Sequence, residues 1–171
     1  MYLIISTLEK SDEDAERIIH KLKQKSEDIE VIYAKDLNIK GCIGCNHCWL
    51  VTPGICTIKD DHETLLIKFL QAKQVVFLTE SKLGFVSYQL KNIVDRSLPL
   101  ATMYLRFENG QMRHYPRYNK RYKMGLIYKG NGNQEILEKW FERTMLNING
   151  TSLGAYRMED NEGIVNELIN D

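Results

Sequence analysis

The sequence predicts an α/β fold in which a doubly wound parallel sheet lies between two layers of helices. Strand-like and helix-like segments alternate five times along the chain. One strand-like segment, residues 74–79, has an apolar centre with polar flanks, as expected of a parallel strand that is buried on both faces. The length of 171 residues suits one domain of this kind. Such alternation requires parallel strands joined by right-handed helical crossovers.

The first half of the chain contains three strand candidates and two helix candidates. The strands are predicted at residues 2–5, 30–34 and 74–79. Each helix shows apolar residues on one face: Ala15, Ile18, Ile19 and Leu22 in the first, and Leu65, Leu66, Phe69 and Leu70 in the second. Ser11 is expected to cap the first helix, and Asp60 or Asp61 the second.

The second half completes the alternation. A helix is predicted at about 85–98, a polar aromatic stretch at about 102–120, a strand at 123–128, a helix at 134–146, a strand at 152–158 and a last helix after it. Five strands suit the flavodoxin-like order 2-1-3-4-5, in which ligands sit outside the carboxyl ends of the strands. The loops at those ends are residues 6–13, 79–87 and 129–133.

No linker or internal repeat divides the chain, so residues 1–171 are expected to form a single domain. Two segments stand out from the alternation: a cysteine loop at 40–58 and a candidate hairpin insertion at 106–122. Glu108-Asn109-Gly110-Gln111 resembles a hairpin turn. An inserted hairpin is more typical of a sheet edge or a dimer contact than of catalysis.

Composition disfavours two classes of partner. Lys and Arg number 23 and Asp and Glu number 23, so the chain lacks the basic surplus typical of proteins that bind nucleic acid or a membrane surface. Its longest apolar runs are far shorter than the roughly 20 residues of a membrane-spanning helix. The first residues carry no basic segment followed by a cleavable apolar stretch, so we expect a cytoplasmic protein.

The four cysteines of the chain all lie in one short segment, GCIGCNHCWLVTPGIC. Cys42, Cys45 and Cys48 are separated by two residues each, and Cys56 follows after a longer gap. Three closely spaced thiolates with a fourth more distant one suit a four-iron, four-sulfur cluster. Structural zinc more often takes two separated Cys-x-x-Cys pairs, although His47 could replace one thiol. Packed or free thiols without a metal are the third interpretation.

The segment from Cys42 to Asp61 resembles the NADPH-dependent FMN reductase-like and iron–sulfur flavoprotein branch of the flavodoxin superfamily. The features that carry the resemblance are the Gly-Cys-x-x-Cys triplet, Trp49, Thr52-Pro53-Gly54, Cys56, Asp60-Asp61, Leu90-Lys91-Asn92 and Asp95-Arg96. The resemblance implies FMN on the three loops named above. Some members of that branch also hold a cluster in the cysteine loop, pass electrons between it and the flavin, and often form dimers. The resemblance implies these features for this chain as well.

The first loop departs from that family. Where the family has Gly-Ser-x-Arg and then Asn-Thr, this chain has Ser6, Thr7, Leu8, Glu9, Glu13 and Asp14. Glu9, Glu13 and Asp14 would place negative charge near the FMN phosphate, and one like-charge pair about 5 Å apart costs roughly 3 kcal/mol at an effective dielectric constant of 20. FMN binding is therefore doubtful at this loop. An ordinary acidic first turn on a solvated helix explains the same residues without a ligand.

The first hypothesis is a flavodoxin-fold redox protein with an altered flavin site. If it is an enzyme, it is expected to be an NAD(P)H-dependent flavin oxidoreductase, in which the cofactors carry the chemistry. The expected cluster ligands are Cys42, Cys45, Cys48 and Cys56, and the remaining flavin surface consists of Thr7, Lys82, Gly84, Tyr128 and Gly130. The alternative is a non-catalytic homologue, a partner subunit or interaction protein, that has lost flavin binding. A homodimer or a redox partner protein is the expected assembly.

Overall fold

The computed structural model describes residues 1–160 together with Val165 and Leu168. Five parallel strands form the main sheet: β1 (Tyr2–Ser6), β2 (Ile29–Tyr33), β3 (Gln74–Lys82), β7 (Tyr122–Gly130) and β8 (Gly150–Arg157). Their order is β2-β1-β3-β7-β8. Counted as parallel strands, this is the predicted order 2-1-3-4-5.

Helices cover both faces of the sheet. They are α1 (Glu13–Lys25), α2 (His47–Leu50), α3 (His62–Gln71), α4 (Tyr88–Asp95) and α5 (Gln134–Asn147), with short 3-10 helices at Ala34–Asp36, Leu98–Leu100 and Met158–Asp160. In the described part of the chain, no helix has the length and apolarity that crossing a bilayer requires. The helix predicted after residue 158 lies outside the described residues, apart from the helical and buried Val165 and Leu168.

Alternate residues of the central strands build one core on each side of the sheet, because neighbouring side chains of a strand point to opposite faces. On the α1 side the core contains Ile4, Val76, Leu78 and Ile127 together with the apolar face of α1. On the other side it contains Leu3, Ile5, Phe77, Phe69 and Phe141. The arrangement is therefore a three-layer α/β/α structure.

The helix predicted at 85–98 is shorter than expected. Phe85–Val86 forms a short strand, β4, that pairs antiparallel with the end of β3. Leu83 and Gly84, with φ of 52° and 78°, make the turn that reverses the chain. The helix α4 then begins after Ser87, whose hydroxyl accepts a hydrogen bond from the Leu90 N–H at 3.3 Å. The prediction was wrong at this end because the turn competes with the helix for these residues.

A two-stranded hairpin projects from the main body between α4 and β7. It consists of β5 (Ala101–Glu108) and β6 (Gln111–Pro116), paired antiparallel. Asn109 and Gly110, with φ of 51° and 74°, form its turn, at the tetrapeptide that the sequence suggested. The hairpin begins earlier in the chain than the insertion expected at 106–122.

Candidate functional site

The cysteine loop is fastened at both ends to one buried ion pair. Arg96, at the end of α4, pairs with Asp60 at 2.5 Å, and each side chain is only 1% exposed. Arg96 also donates to the Lys40 carbonyl (3.2 Å) and the Ile58 carbonyl (3.1 Å), while Asp60 accepts from the Lys40 N–H (2.9 Å). Burial opposes ionisation of Asp60, but Arg96 and the backbone donors hold its pKa below the ordinary value. The loop therefore leaves and re-enters the fold at a single charged anchor.

The four thiols differ in exposure. Cys42 and Cys45 are exposed, Cys56 is half-buried, and Cys48 is buried in α2. Gly44 and Asn46 lie in the left-handed region of backbone conformation, with φ of 67° and 56°, which curves the loop between the exposed and buried cysteines. Burial raises the pKa of the Cys48 thiol, and the other three thiols raise it further. The other three thiols therefore lie within electrostatic reach of Cys48.

The four cysteines are a donor set that iron–sulfur clusters use. Across the described residues, no three His, Cys, Asp or Glu side chains are gathered so that they could hold one metal ion. A tetrahedral zinc site needs its ligands to converge on one ion, whereas each thiolate of a four-iron cluster binds a different iron. Four thiols on one curved loop supply one ligand for each iron. Cys42, Cys45, Cys48 and Cys56 are thus compatible with the predicted ligand role.

Aromatic and basic side chains pack the cysteine loop against the base of the hairpin. The Trp49 indole donates to the Leu98 carbonyl at 2.8 Å, and its ring centroid lies 4.9 Å from that of His114. Arg117 donates to the carbonyls of Cys48 (3.5 Å) and Pro99 (2.9 Å). A groove of about 390 Å³ runs beside Cys42, between the end of α4 and α5. The loop is therefore supported on its α2 side and open beside Cys42.

Thr7, expected at the flavin phosphate, is buried in a hydroxyl cluster. Its Oγ1 donates to Thr79 Oγ1 at 2.9 Å, Thr79 donates to Ser87 at 3.0 Å, and Ser87 donates back to Thr7 at 3.0 Å. Thr7 and Thr79 are fully buried, and Ser87 is nearly so. This cluster joins the loop after β1 to β3 and to the N-cap of α4, and its three hydroxyls satisfy one another. Thr7 offers no exposed hydroxyl for a ligand.

The acidic residues of the first loop are mostly engaged in ion pairs. Glu9 pairs with Lys35 at 2.5 Å and Asp14 with Arg17 at 3.4 Å. Glu13 lies in the first turn of α1 and is exposed. The repulsion expected from Glu9 and Asp14 is therefore weaker than unpaired carboxylates would give.

Asp12, which the sequence reasoning did not single out, holds the anion position of the first loop. It caps α1 in place of Ser11, because its Oδ1 accepts the Ala15 N–H at 3.1 Å. Its Oδ2 accepts a hydrogen bond from Lys129 of the third loop. Partial burial opposes ionisation, but Lys129 and the helix N–H groups keep the Asp12 pKa below its ordinary value. A helix N-terminus and a lysine thus bind a carboxylate of the chain itself.

The remaining candidate flavin residues are used within the protein. Lys82 is exposed and pairs with Glu80 at 2.9 Å. Gly84 belongs to the β3–β4 turn. Gly130 pairs with Ser81 in the sheet, and a Cβ there would lie 3.0 Å from the Ser81 carbonyl oxygen. Tyr128 is fully buried, so its ring presents no surface for stacking. The structure brings these residues to one end of the sheet, but the Tyr128 ring is buried and does not face the surface there.

Two curated proteins match part of the chain. An iron–sulfur flavoprotein of Archaeoglobus fulgidus is 37% identical over 82 residues, which cover 48% of this chain and 39% of that protein. An iron–sulfur flavoprotein of Methanocaldococcus jannaschii is 34% identical over 82 residues, which cover 48% of this chain and 42% of that protein. These relatives confirm the predicted resemblance. The match spans less than half the length of each relative, and no family model matches the chain.

The fold also has counterparts among solved structures. RosB, solved with the bound intermediate 8-demethyl-8-formylriboflavin-5′-phosphate, superposes with a TM-score of 0.63. The sequence identity is 18%, and the match covers 91% of this chain and 63% of RosB. The flavodoxin-like fold predicted from the sequence is confirmed by this superposition and by the strand order.

The two ion pairs at the site escaped sequence reasoning for the same reason. Asp60 was expected to cap a helix. Asp60 and Arg96 both belong to the motifs that carry the resemblance, but nothing in the sequence links positions so far apart. Asp12 and Lys129 are separated even further. The available signal was weak: an acidic residue just before a helix and a lysine at the carboxyl end of a strand.

Proposed function

We propose that this chain is a flavodoxin-fold redox protein whose main redox centre is an iron–sulfur cluster held by the cysteine loop. The observation that supports this most strongly is the loop itself: four free thiols on one curved segment, fastened at both ends to Arg96 and Asp60. The two iron–sulfur flavoproteins that match part of the chain support the same assignment.

Cys42, Cys45, Cys48 and Cys56 would be the ligands. When bound, such a cluster supplies one-electron transfer at a potential set by charge, hydrogen bonds and solvent exposure. Cys48 provides a buried position and Cys42 an exposed one, so the protein would hold the centre at its surface. The groove beside Cys42 would let an electron donor or acceptor approach without a structural change.

In this proposal, flavin is not the main redox centre. The relatives and the RosB complex support flavin binding in proteins of this fold. In this chain, however, Thr7 is buried and Asp12 holds the helix N-terminus with Lys129. The residues present do not fit the FMN phosphate in the pose expected from the resemblance. We propose that FMN binds weakly or in another pose, and we derive no step through it.

The same observations favour a second candidate, a flavodoxin-like homologue that acts as a partner subunit. A buried hydroxyl cluster and an internal carboxylate stabilise the first loop without any ligand. Such a protein would use the fold for association rather than for catalysis. It differs from the first candidate in a single property, since it would bind no cluster.

Association is part of both candidates. The hairpin exposes several large apolar side chains: Met103, Tyr104, Leu105, Phe107, Met112 and Tyr115. Exposed apolar patches of this kind mark protein–protein contacts. We propose that they form a homodimer contact or receive a redox partner. A reducing, cytoplasmic compartment is also proposed, because four free thiols in one loop persist there.

Iron and sulfide analysis after anaerobic reconstitution tests the proposal. We expect close to four irons and four sulfides per chain in the parent protein, and loss of both when all four cysteines are replaced by serine. Circular dichroism of the serine variant controls for folding. Less than one iron per chain in the parent protein, with the serine variant indistinguishable from it, would favour the partner subunit instead.

A further inference from the structure

We propose that Arg96 is a positioning residue for the cysteine loop, and that it controls both the retention of a bound cluster and its reduction potential. The inference rests on the proposed cluster. It assigns a role to the buried Arg96 guanidinium, and the spacing of the cysteines in the sequence does not point to that role. Two independent observations support it: how Arg96 is bonded to the loop, and what it leaves unbonded.

The first observation is the position of the contacts. Arg96 donates to the carbonyls of Lys40 and Ile58, which bracket the cysteines, and pairs with Asp60. The planar guanidinium makes these contacts from a rigid fork, whereas a lysine ammonium would supply one point charge. Arg96 therefore fixes the distance between the two ends of the loop. A ligand set whose ends are fixed loses less conformational entropy when it binds.

The second observation is an unused donor close to a predicted ligand. Arg96 is 2% exposed, yet among the described residues its Nε finds no hydrogen-bond partner. An unpaired buried donor is costly, and such groups call for an explanation. Cys56 is two residues before Ile58, whose carbonyl accepts from the Arg96 guanidinium at 3.1 Å. A sulfur carrying negative charge at Cys56 would accept from Arg96 better than a thiol does.

Both observations predict how the cluster responds to Arg96. A positive charge and a hydrogen-bond donor near a thiolate ligand stabilise the reduced, more negative form of a cluster. Removing them should therefore make the reduction potential more negative. Loss of the loop anchor should also weaken retention, and residues that orient metal ligands typically change metal affinity by about 10- to 100-fold.

The test compares Arg96→Lys with the parent protein. Arg96→Lys keeps the charge and loses the fork; the double variant Arg96→Gln/Asp60→Asn removes both buried charges together, which avoids leaving one of them unpaired. Lys139→Gln, which breaks an exposed pair with Glu135, is the charge control. The readouts are iron loss to a chelator and the reduction potential of the cluster. Melting temperatures establish that each variant folds.

We expect iron loss to accelerate about tenfold or more in both variants. In the double variant the two paired charges are removed together, so the loss of the guanidinium donors near Cys56 should make the potential more negative. The control should match the parent protein. If the folded variants lose iron no faster than the parent protein and have the same reduction potential, the inference about Arg96 is wrong, but the proposed cluster is not affected. If the parent protein itself binds no iron after anaerobic reconstitution, the proposed function fails and the inference falls with it.

Discussion

His62 shows how one buried side chain makes the stability of this fold depend on pH. It is fully buried at the start of α3, and its Nε2 lies 3.0 Å from the Ile93 carbonyl oxygen. Burial and the nearby Arg96 lower its pKa to about 4, although the Ile93 carbonyl and Asp60 act in the opposite direction. His62 therefore stays neutral in the folded protein at pH values where a free histidine is charged.

The free energy of unfolding should fall as the pH drops from 6.5 to about 4. In this window the unfolded chain binds the proton and the folded chain does not, so acid favours unfolding. The full contribution is about 3 kcal/mol, from the pKa difference and roughly 1.4 kcal/mol per unit. The free energy of unfolding, measured by denaturant titration at each pH, should depend less steeply on pH for His62→Gln than for the parent protein. His20→Gln, at an exposed position, should keep the parent slope; equal slopes in all three proteins would refute the assignment.

The position of Asp12 leads to a prediction about how tightly the first loop binds FMN. Asp12→Ser keeps a capping oxygen, removes the carboxylate and releases Lys129, so FMN should bind at least about tenfold tighter than to the parent protein. Part of the gain should disappear at high salt. Fluorescence titration with FMN measures it.

The other acidic residues of the first loop provide a comparison for the effect of Asp12 on FMN binding. The variant Glu9→Arg/Glu13→Asn/Asp14→Thr replaces the three carboxylates expected near the FMN phosphate, but Glu9 and Asp14 are already paired. It should give a smaller gain than Asp12→Ser. A larger gain from the triple variant, with Asp12→Ser unchanged, would show that Asp12 does not hold the phosphate position. Submicromolar binding of FMN by the parent protein at residues 6–14 would refute the whole argument.

At the scale of the element, the β3–β4 turn is the clearest difference between local preference and structure. Leu83 adopts a φ of 52° and is completely exposed. A branched residue in the left-handed region costs about 1 kcal/mol, and Asn-Gly is the preferred pair for such two-residue turns. Leu83→Asn should therefore raise the free energy of unfolding by about 1 kcal/mol, measured by urea denaturation. Leu83→Ala, which keeps the conformational cost, should not reproduce the gain.

The sequence predicted the elements that follow simple periodicities. The face of α1 and the buried centre of β3 were visible because burial imposes a period on a helix and an apolar run on a parallel strand. The β4 strand was missed because two residues carry no period. The N-cap of α1 was misassigned because Ser11 and Asp12 both have capping side chains, and only tertiary contact with Lys129 favours Asp12.

At the scale of the whole molecule, the hairpin is the part that the main fold does not explain. A two-stranded sheet alone is marginally stable, and this one is held at its base by Arg117 contacts to Pro99 and Ala101. Phe107 and Met112 are paired across it on one face and are 74% and 60% exposed. Their exposure is a reason to expect a partner on that face.

Phe107→Ser/Met112→Ser should convert a dimer to a monomer with little change in melting temperature, because neither side chain packs in the core. Sedimentation velocity measures the assembly. Ile67→Ser is the control, because Ile67 is a large apolar residue exposed on α3, outside the hairpin. A parent protein that sediments as a monomer, or a dimer unaffected by the double variant, would remove the hairpin from the interface.

The candidate site could be predicted from the sequence only where residues lie close together in the chain. The thiol spacing indicated a cluster because all four cysteines fall in one loop. The anchor at Arg96 and Asp60, and the contact of Asp12 with Lys129, depend on how the strands are ordered. Tyr128 was assigned to the flavin surface because a loop-proximal aromatic residue gives no sign in the sequence of which way its ring points.

The absorption spectrum of anaerobically purified protein tests the central claim most directly. The proposal predicts a broad visible absorption typical of iron–sulfur clusters, bleached on reduction, absent from the variant with all four cysteines replaced by serine, and accompanied by little flavin absorption until FMN is added in excess. A spectrum with strong flavin bands and no cluster absorption, or a colourless protein that remains colourless after reconstitution, would contradict it.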